Sequence, residues 1–247
     1  MPVLNDATMD QQILPAGHYG YSATRLENLG AAEYTLVTLV TDVSGSVSGF
    51  IREMEDALGE IVNACRLSPR ADNLLIRLVT FSNRVEELHG FKLLEQCHLS
   101  DYRSILRVGG NTALYDSAEN AIAATTSYAR QLTGAHFAVN AILFVITDGM
   151  DNASTLGVRH VRDALNQAVS SEACQSMISV LIGVNVHDRS VGGYLRDFKS
   201  AAGFTQYIEI GQANAKLLAR LTDFVSRSIS AQSQALGTGG PSRSLTF

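Results

Sequence analysis

The chain has 247 residues, of which 46% are hydrophobic and 17% charged, an ordinary globular balance that suits one α/β domain with short appendages and leaves little room for a second. A formal net charge of -5, with no dense Lys/Arg run, argues against nucleic acid or an anionic membrane as the principal partner. The N-terminus has no basic region followed by an apolar core, and no apolar run is long enough to cross a bilayer. With Cys65, Cys97 and Cys174 odd in number and without metal-ligand spacing, these features point to a cytoplasmic protein with reduced thiols.

Residues 1–33 carry scattered apolar side chains, Ile13, Leu14, Tyr19, Tyr21 and Leu26, without a sustained period. They read as an N-terminal extension that drapes over a sheet edge or awaits a partner. The almost continuously apolar run 34–40 is the first buried strand. Phe50, Ile51, Met54, Leu58, Ile61, Val62 and Cys65 then recur at helical spacing, and the helix stops before Ser68-Pro69. A second strand spans 74–81, and Ser82-Asn83 turns the chain into a short antiparallel edge strand over 85–88. Leu114, Ala118, Ala121, Ile122, Thr125, Ala129 and Leu132 mark the next helix.

Residues 138–146 form a central strand, and Leu156, Val161, Leu165, Ala168 and Val169 trace the returning helix. Another buried strand covers 177–184, Asp188 caps a helix bearing Val191, Tyr194, Leu195 and Phe198, and 205–210 alternates like an edge strand. Leu217, Leu218, Leu221, Phe224, Val225 and Ile229 lie on the last helix. From residue 231 onward the Gly-rich run ending in Leu245-Thr246-Phe247 reads as a flexible tail. Alternation of buried strands and amphipathic helices is the pattern of a mostly parallel sheet with helices on both faces.

The chemistry concentrates where strands end. Asp42-Val43-Ser44-Gly45-Ser46 follows the first strand and delivers a carboxylate and two hydroxyls into a loop. Ile146-Thr147-Asp148-Gly149 brings a second carboxylate, and Gly109-Gly110-Asn111-Thr112 a further hydroxyl at a helix start. All are oxygen donors, as a hard cation such as Mg²⁺ requires. The order D-x-S-x-S, Thr, Thr-Asp-Gly resembles the metal-ion-dependent adhesion site (MIDAS) of von Willebrand factor A domains over roughly residues 34–229. The resemblance implies a six-stranded doubly wound sheet of order 3-2-1-4-5-6 with one antiparallel edge strand, in a domain covering 34–230.

The same resemblance implies metal ligation by Asp42, Ser44, Ser46, Thr112 and Asp148, some through water. Mg²⁺ is the expected ion, with Mn²⁺ or Ca²⁺ as alternatives. It further implies a non-enzymatic module that recruits a partner protein's Asp or Glu onto the metal. Intracellular members of the family accompany ATPases, chelatases, kinases or phosphatases, so an adaptor in such a system is the working expectation. Asp116, on the first turn of its helix, is either a helix-end charge or a group that holds a water or loop backbone around the metal; Asp151 reads as an organiser of its own loop or a solvent-facing residue, with the same supporting role beside the metal as the alternative.

Enzyme readings fare less well. The loop at 109–112 lacks the lysine of a P-loop, no G-x-G-x-x-G follows the first strand, and Ser44 and Ser46 are not in a nucleophile elbow. The most credible rival is a Mg²⁺-dependent phosphoryl-transfer enzyme using Asp42. His18, His89, His98, His136, His160 and His187 are dispersed without metal spacing, and most are expected at the surface or in loops. The adjacency Cys97-His98 does not make a dyad.

Overall fold

The computed structural model describes residues 4, 7–14, 19–211, 214–240 and 244–247. Eight strands, β1 (Met9–Ile13), β2 (Gly20–Thr24), β3 (Glu33–Asp42), β4 (Leu74–Phe81), β5 (Val85–Leu93), β6 (Ala138–Thr147), β7 (Ser176–Val184) and β8 (Gln206–Ile210), form one sheet. Five α-helices accompany them: α1 (Ile51–Arg66), α2 (Leu114–Gly134), α3 (Val158–Ser170), α4 (Arg189–Ala202) and α5 (Ala215–Thr238). The order across the sheet is β1-β2-β5-β4-β3-β6-β7-β8. Pairing is parallel throughout except for β1 with β2 and β4 with β5.

Two expectations need correction. The sheet has eight strands rather than six, and its order differs because residues 1–33 are not merely an appendage: β1 and β2 extend the sheet beyond β5. The antiparallel strand β5 is therefore interior, flanked by β4 and β2. The six segments read from the sequence occupy the run β5-β4-β3-β6-β7-β8. At the other end of the chain, α5 runs past residue 230 to Thr238, with Gln232 and Ser233 buried. Gln232 Nε2 donates to the Ala141 carbonyl at 3.2 Å, and Arg70 Nε donates to Ser233 Oγ at 3.1 Å. Beyond it, the Gln206 side chain donates to the Leu245 carbonyl at 3.0 Å, and the Phe247 ring meets Phe224 edge-on at 5.8 Å. These contacts hold a segment that composition alone marks as a linker.

The core follows from strand alternation. On β6, Ile142, Phe144 and Ile146 face a layer made with α1 and α5, whereas Leu143 and Val145 face α2, α3 and α4. Both faces of the central strands are thus covered, which is why β3 and β6 read as unbroken apolar runs. Not every histidine is at the surface: His89 is buried, its Nε2 lies 3.0 Å from the Tyr102 hydroxyl, and burial depresses its pKa to about 4. Cys97 is buried and His98 exposed, so no dyad forms.

Joining β2 to β5 requires close backbone approach. A Cβ on Gly90 would lie 1.9 Å from the Ser22 carbonyl oxygen, so only glycine fits there. Gly90→Ala is expected to cost on the order of 1–3 kcal/mol by overpacking and to speed hydrogen exchange selectively at residues 21–24. An unchanged denaturation midpoint with unchanged exchange in β2 would show that the approach is not tight.

Candidate metal centre

β3 and β6 lie side by side, with Thr41 opposite Ile146, so their carboxyl ends emerge together. The chain runs outward from β3 to β4 on one side and returns to β6 on the other. This reversal of strand order is where open α/β sheets form crevices. Asp42 closes β3, and Asp148 follows β6 by one residue. Residues about a hundred positions apart in sequence therefore meet: Ser46 Oγ donates to Asp148 Oδ1 at 2.8 Å, and Ser44 Oγ lies 3.1 Å from Ser46 Oγ.

Asp42 is 1% exposed and is held at both oxygens, by the Ser44 backbone N–H on Oδ1 at 2.8 Å and by Thr147 Oγ1 on Oδ2 at 2.7 Å. Each carboxylate oxygen keeps a second lone pair. Asp42, Ser44 and Thr112 are buried, whereas Ser46 is exposed and Asp148 partly so, which leaves the group open to solvent on one side.

Thr112 makes no side-chain hydrogen bond to this group among the described residues, but the loop that carries it is laced to the Asp42 loop. Gly109 N–H donates to the Val43 carbonyl at 2.9 Å and Gly45 N–H to the Gly110 carbonyl at 3.0 Å, tying loop 109–112 to the Asp42 loop. Gly110 has φ of +85° and sits where a Cβ would press on the Asn83 amide, whose oxygen accepts from the Asn111 N–H at 2.8 Å. The Thr112 N–H donates to Asn152 Oδ1 at 2.7 Å, and the Asn152 N–H returns a bond to the Thr112 carbonyl at 3.0 Å. A Cβ built on Gly149 would stand 4.0 Å from Thr112 Oγ1, so that hydroxyl faces the loop carrying Asp148.

Asp116 and Asp151 serve the supporting loop. The buried Asp116 carboxylate accepts from the Thr155 N–H and hydroxyl and from the Leu156 N–H at 2.9 to 3.2 Å. Asp151 Oδ1 accepts from Ser154 Oγ and from the Tyr115 N–H at the start of α2. Both pin the segment after Asp148 against α2. Thr147, Asn152 and Asn83 were not singled out from the sequence; Thr147 lies within the Thr-Asp-Gly segment, but nothing in its spacing reveals a bond to Asp42.

Among the described residues no three His, Cys, Asp or Glu side chains gather as a metal site, so any centre here rests on two carboxylates and three hydroxyls. That set suits a divalent cation that accepts oxygen ligands. Neither carboxylate has a basic partner among the described ion pairs. Burial pushes the Asp42 pKa up to about 6, with a further rise from nearby Asp148 that the Thr147 and Ser44 hydrogen bonds oppose. Burial also raises Asp148, against the bond from Ser46. Two desolvated, mutually repelling carboxylates without a counter-charge fit a cation.

The sequence matches no protein-family model and no curated protein. Solved structures of similar fold include the PilB minor pilin from Streptococcus sanguinis, with TM-score 0.60 and 17% identity over 89% of this chain and 66% of that one. Proximal thread matrix protein 1 from the mussel byssus, with a zinc-occupied MIDAS motif, aligns at TM-score 0.54 and 18% identity over 81% of this chain and 47% of that one. The pilus adhesin SpaC from Lactobacillus rhamnosus GG aligns at TM-score 0.55 and 11% identity over 86% and 32%. The chain thus spans less than two thirds of the length of each. At these identities the likeness carries the fold, a von Willebrand factor A-like arrangement, and nothing finer.

The raised Asp42 pKa has a stability consequence with a defined sign. A carboxyl at about 6 in the folded state and 3.8 unfolded binds its proton more tightly when folded. Its favourable contribution is therefore present below the unfolded value and is lost as pH rises through 6. The difference amounts to about 3 kcal/mol. In chelator at pH 7.5, Asp42→Asn is expected to raise stability by about 1–3 kcal/mol, with Thr147 turning to accept from the new amide, and the gain should vanish near pH 3.5. A destabilised variant at pH 7.5 would contradict the assignment of uncompensated charge.

Proposed function

We propose that this chain is a non-enzymatic, divalent-cation-dependent protein-binding module. Asp42, Ser44, Ser46, Thr112 and Asp148 hold the ion, Mg²⁺ first with Mn²⁺ or Ca²⁺ as alternatives, and an Asp or Glu of a partner protein completes the site. The observation that carries the reading is the meeting of Ser46 with Asp148 and Ser44 across two strand ends, on a face open to solvent. The bound ion would supply Lewis acidity toward an incoming carboxylate. This chain's residues do the rest: two carboxylates balance a divalent charge, and three neutral hydroxyls leave it receptive to one more anion. The zinc-occupied MIDAS motif of the mussel byssus protein lends support, though only at the level of fold.

The phosphoryl-transfer alternative is weaker on geometry. An aspartyl-phosphate site wants a further carboxylate beside its nucleophile, and here the hydroxyls of Ser44 and Ser46 stand in that place. Three unbridged cysteines favour a reducing compartment and hence an intracellular adaptor, with an ATPase, kinase or phosphatase of the same system as partner. Among the described residues no helix is long and apolar enough to cross a membrane.

The test is a pull-down from native cell lysate with the intact chain, in Mg²⁺ and in chelator, beside Asp42→Ala and Asp148→Ala. Retention of a partner only with Mg²⁺, lost by both variants while their circular dichroism is unchanged, is the expected result. Equal retention in chelator would overturn the metal bridge. Hydrolysis of a chromogenic phosphate ester abolished by Asp42→Asn would overturn the non-enzymatic reading.

A further inference from the structure

The sheet is unevenly closed at its N-terminal edge. The hairpin of β1 and β2 joins β5 through one ladder pair, Ala23 with Phe91, beside the glycine contact at Gly90. No ladder pair forms between the Gly20 end of β2 and the Val85 end of β5, and between them opens a cavity of about 600 Å³. That volume is within the roughly 300–1,000 Å³ of small-molecule sites. None of the five candidate metal ligands lines it.

Its lining includes Arg77 from β4 and Asn120 from α2, both at most 1% exposed. Arg77 Nε donates to Glu87 Oε2 at 2.6 Å, and Nη2 donates to Asn120 Oδ1 at 2.9 Å. Glu87 Oε1 in turn accepts from the Ser22 N–H at 2.8 Å. Two donors are left over: Arg77 Nη1 and Asn120 Nδ2 are buried and have no hydrogen-bond partner among the described residues. A buried donor without a partner carries a desolvation cost, so two on touching side chains favour an arriving oxygen acceptor. Both nitrogens lie beneath the cavity surface, so an oxygen reaches them only where the Arg77 and Asn120 side chains turn toward it.

The charge around the cavity selects the kind of acceptor. Glu87 neutralises Arg77, Glu86 stands exposed at the rim, and no other Lys or Arg is among the described lining residues. An anion would therefore meet no unpaired cation among the described lining residues. The side-chain amide of Gln12, on the β1 face that pairs with Tyr21, offers a donor and an acceptor, and the half-buried Tyr19 ring an apolar face. We propose that this cavity binds a neutral polyhydroxylated ligand, a saccharide unit, with oxygens accepting from Arg77 Nη1 and Asn120 Nδ2.

Saturation-transfer NMR on the intact chain, in chelator so that the metal centre does not contribute, tests this with glucose, galactose, mannose and N-acetylglucosamine, and with acetate and succinate as anionic probes. Transfer to at least one sugar and to neither carboxylate is the expected result, with about tenfold weaker binding in Asn120→Ala and in the rim variant Gln12→Ala. The rim variant guards against a fold defect at Asn120. Transfer to no sugar, preference for the carboxylates, or sugar binding undiminished in both variants would overturn the proposal.

Discussion

Two carboxylates are brought together at the carboxyl ends of β3 and β6 without a basic side chain to balance them, and much of the surrounding structure is arranged around that constraint. Burial alone raises both pKa values, and their proximity adds to the effect at Asp42. A fold tolerates such an arrangement when every available dipole is turned toward the charge. Here the Ser44 N–H, Thr147 and Ser46 all donate to it. What those donors leave unbalanced is the charge of a divalent ion.

The loops are rigid for a related reason. Loop 109–112 is tied to the Asp42 loop by two backbone bonds, to the β4–β5 turn through Asn83 and Ser82, and to the loop after β6 through Asn152. Asp116 and Asp151 then fasten that last loop to α2. Metal ligands held this way are oriented by neighbours that never touch the ion, and disturbing such neighbours typically costs ~10- to 100-fold in metal affinity. The two acidic residues closest in sequence to the candidate ligands therefore act on the backbone N–H and hydroxyl groups of the supporting loop.

The central strands and helices were legible because burial on two faces leaves long apolar runs and helical periods. The candidate ligands were legible because a hard cation needs oxygen side chains at strand ends. The β1–β2 hairpin was not: its strands are five residues each, β1 is largely exposed, and the alternation in β2 consists of only two apolar residues, Tyr21 and Ala23. The extent of α5 was also hidden, since Gln232 and Ser233 are polar residues buried by long-range bonds to β6 and Arg70 that no local pattern encodes. Buried His89 and Arg77 escaped for the same reason, because their partners come from distant segments.

The most direct measurement is a Mn²⁺ titration of the purified chain followed by electron paramagnetic resonance, with Mg²⁺ as competitor and Asp42→Ala and Ser46→Ala alongside. If the five oxygens form one centre, a single Mn²⁺ is taken up per chain, Mg²⁺ displaces it, and both variants lose it. No uptake, or uptake untouched by either substitution, would contradict the metal assignment.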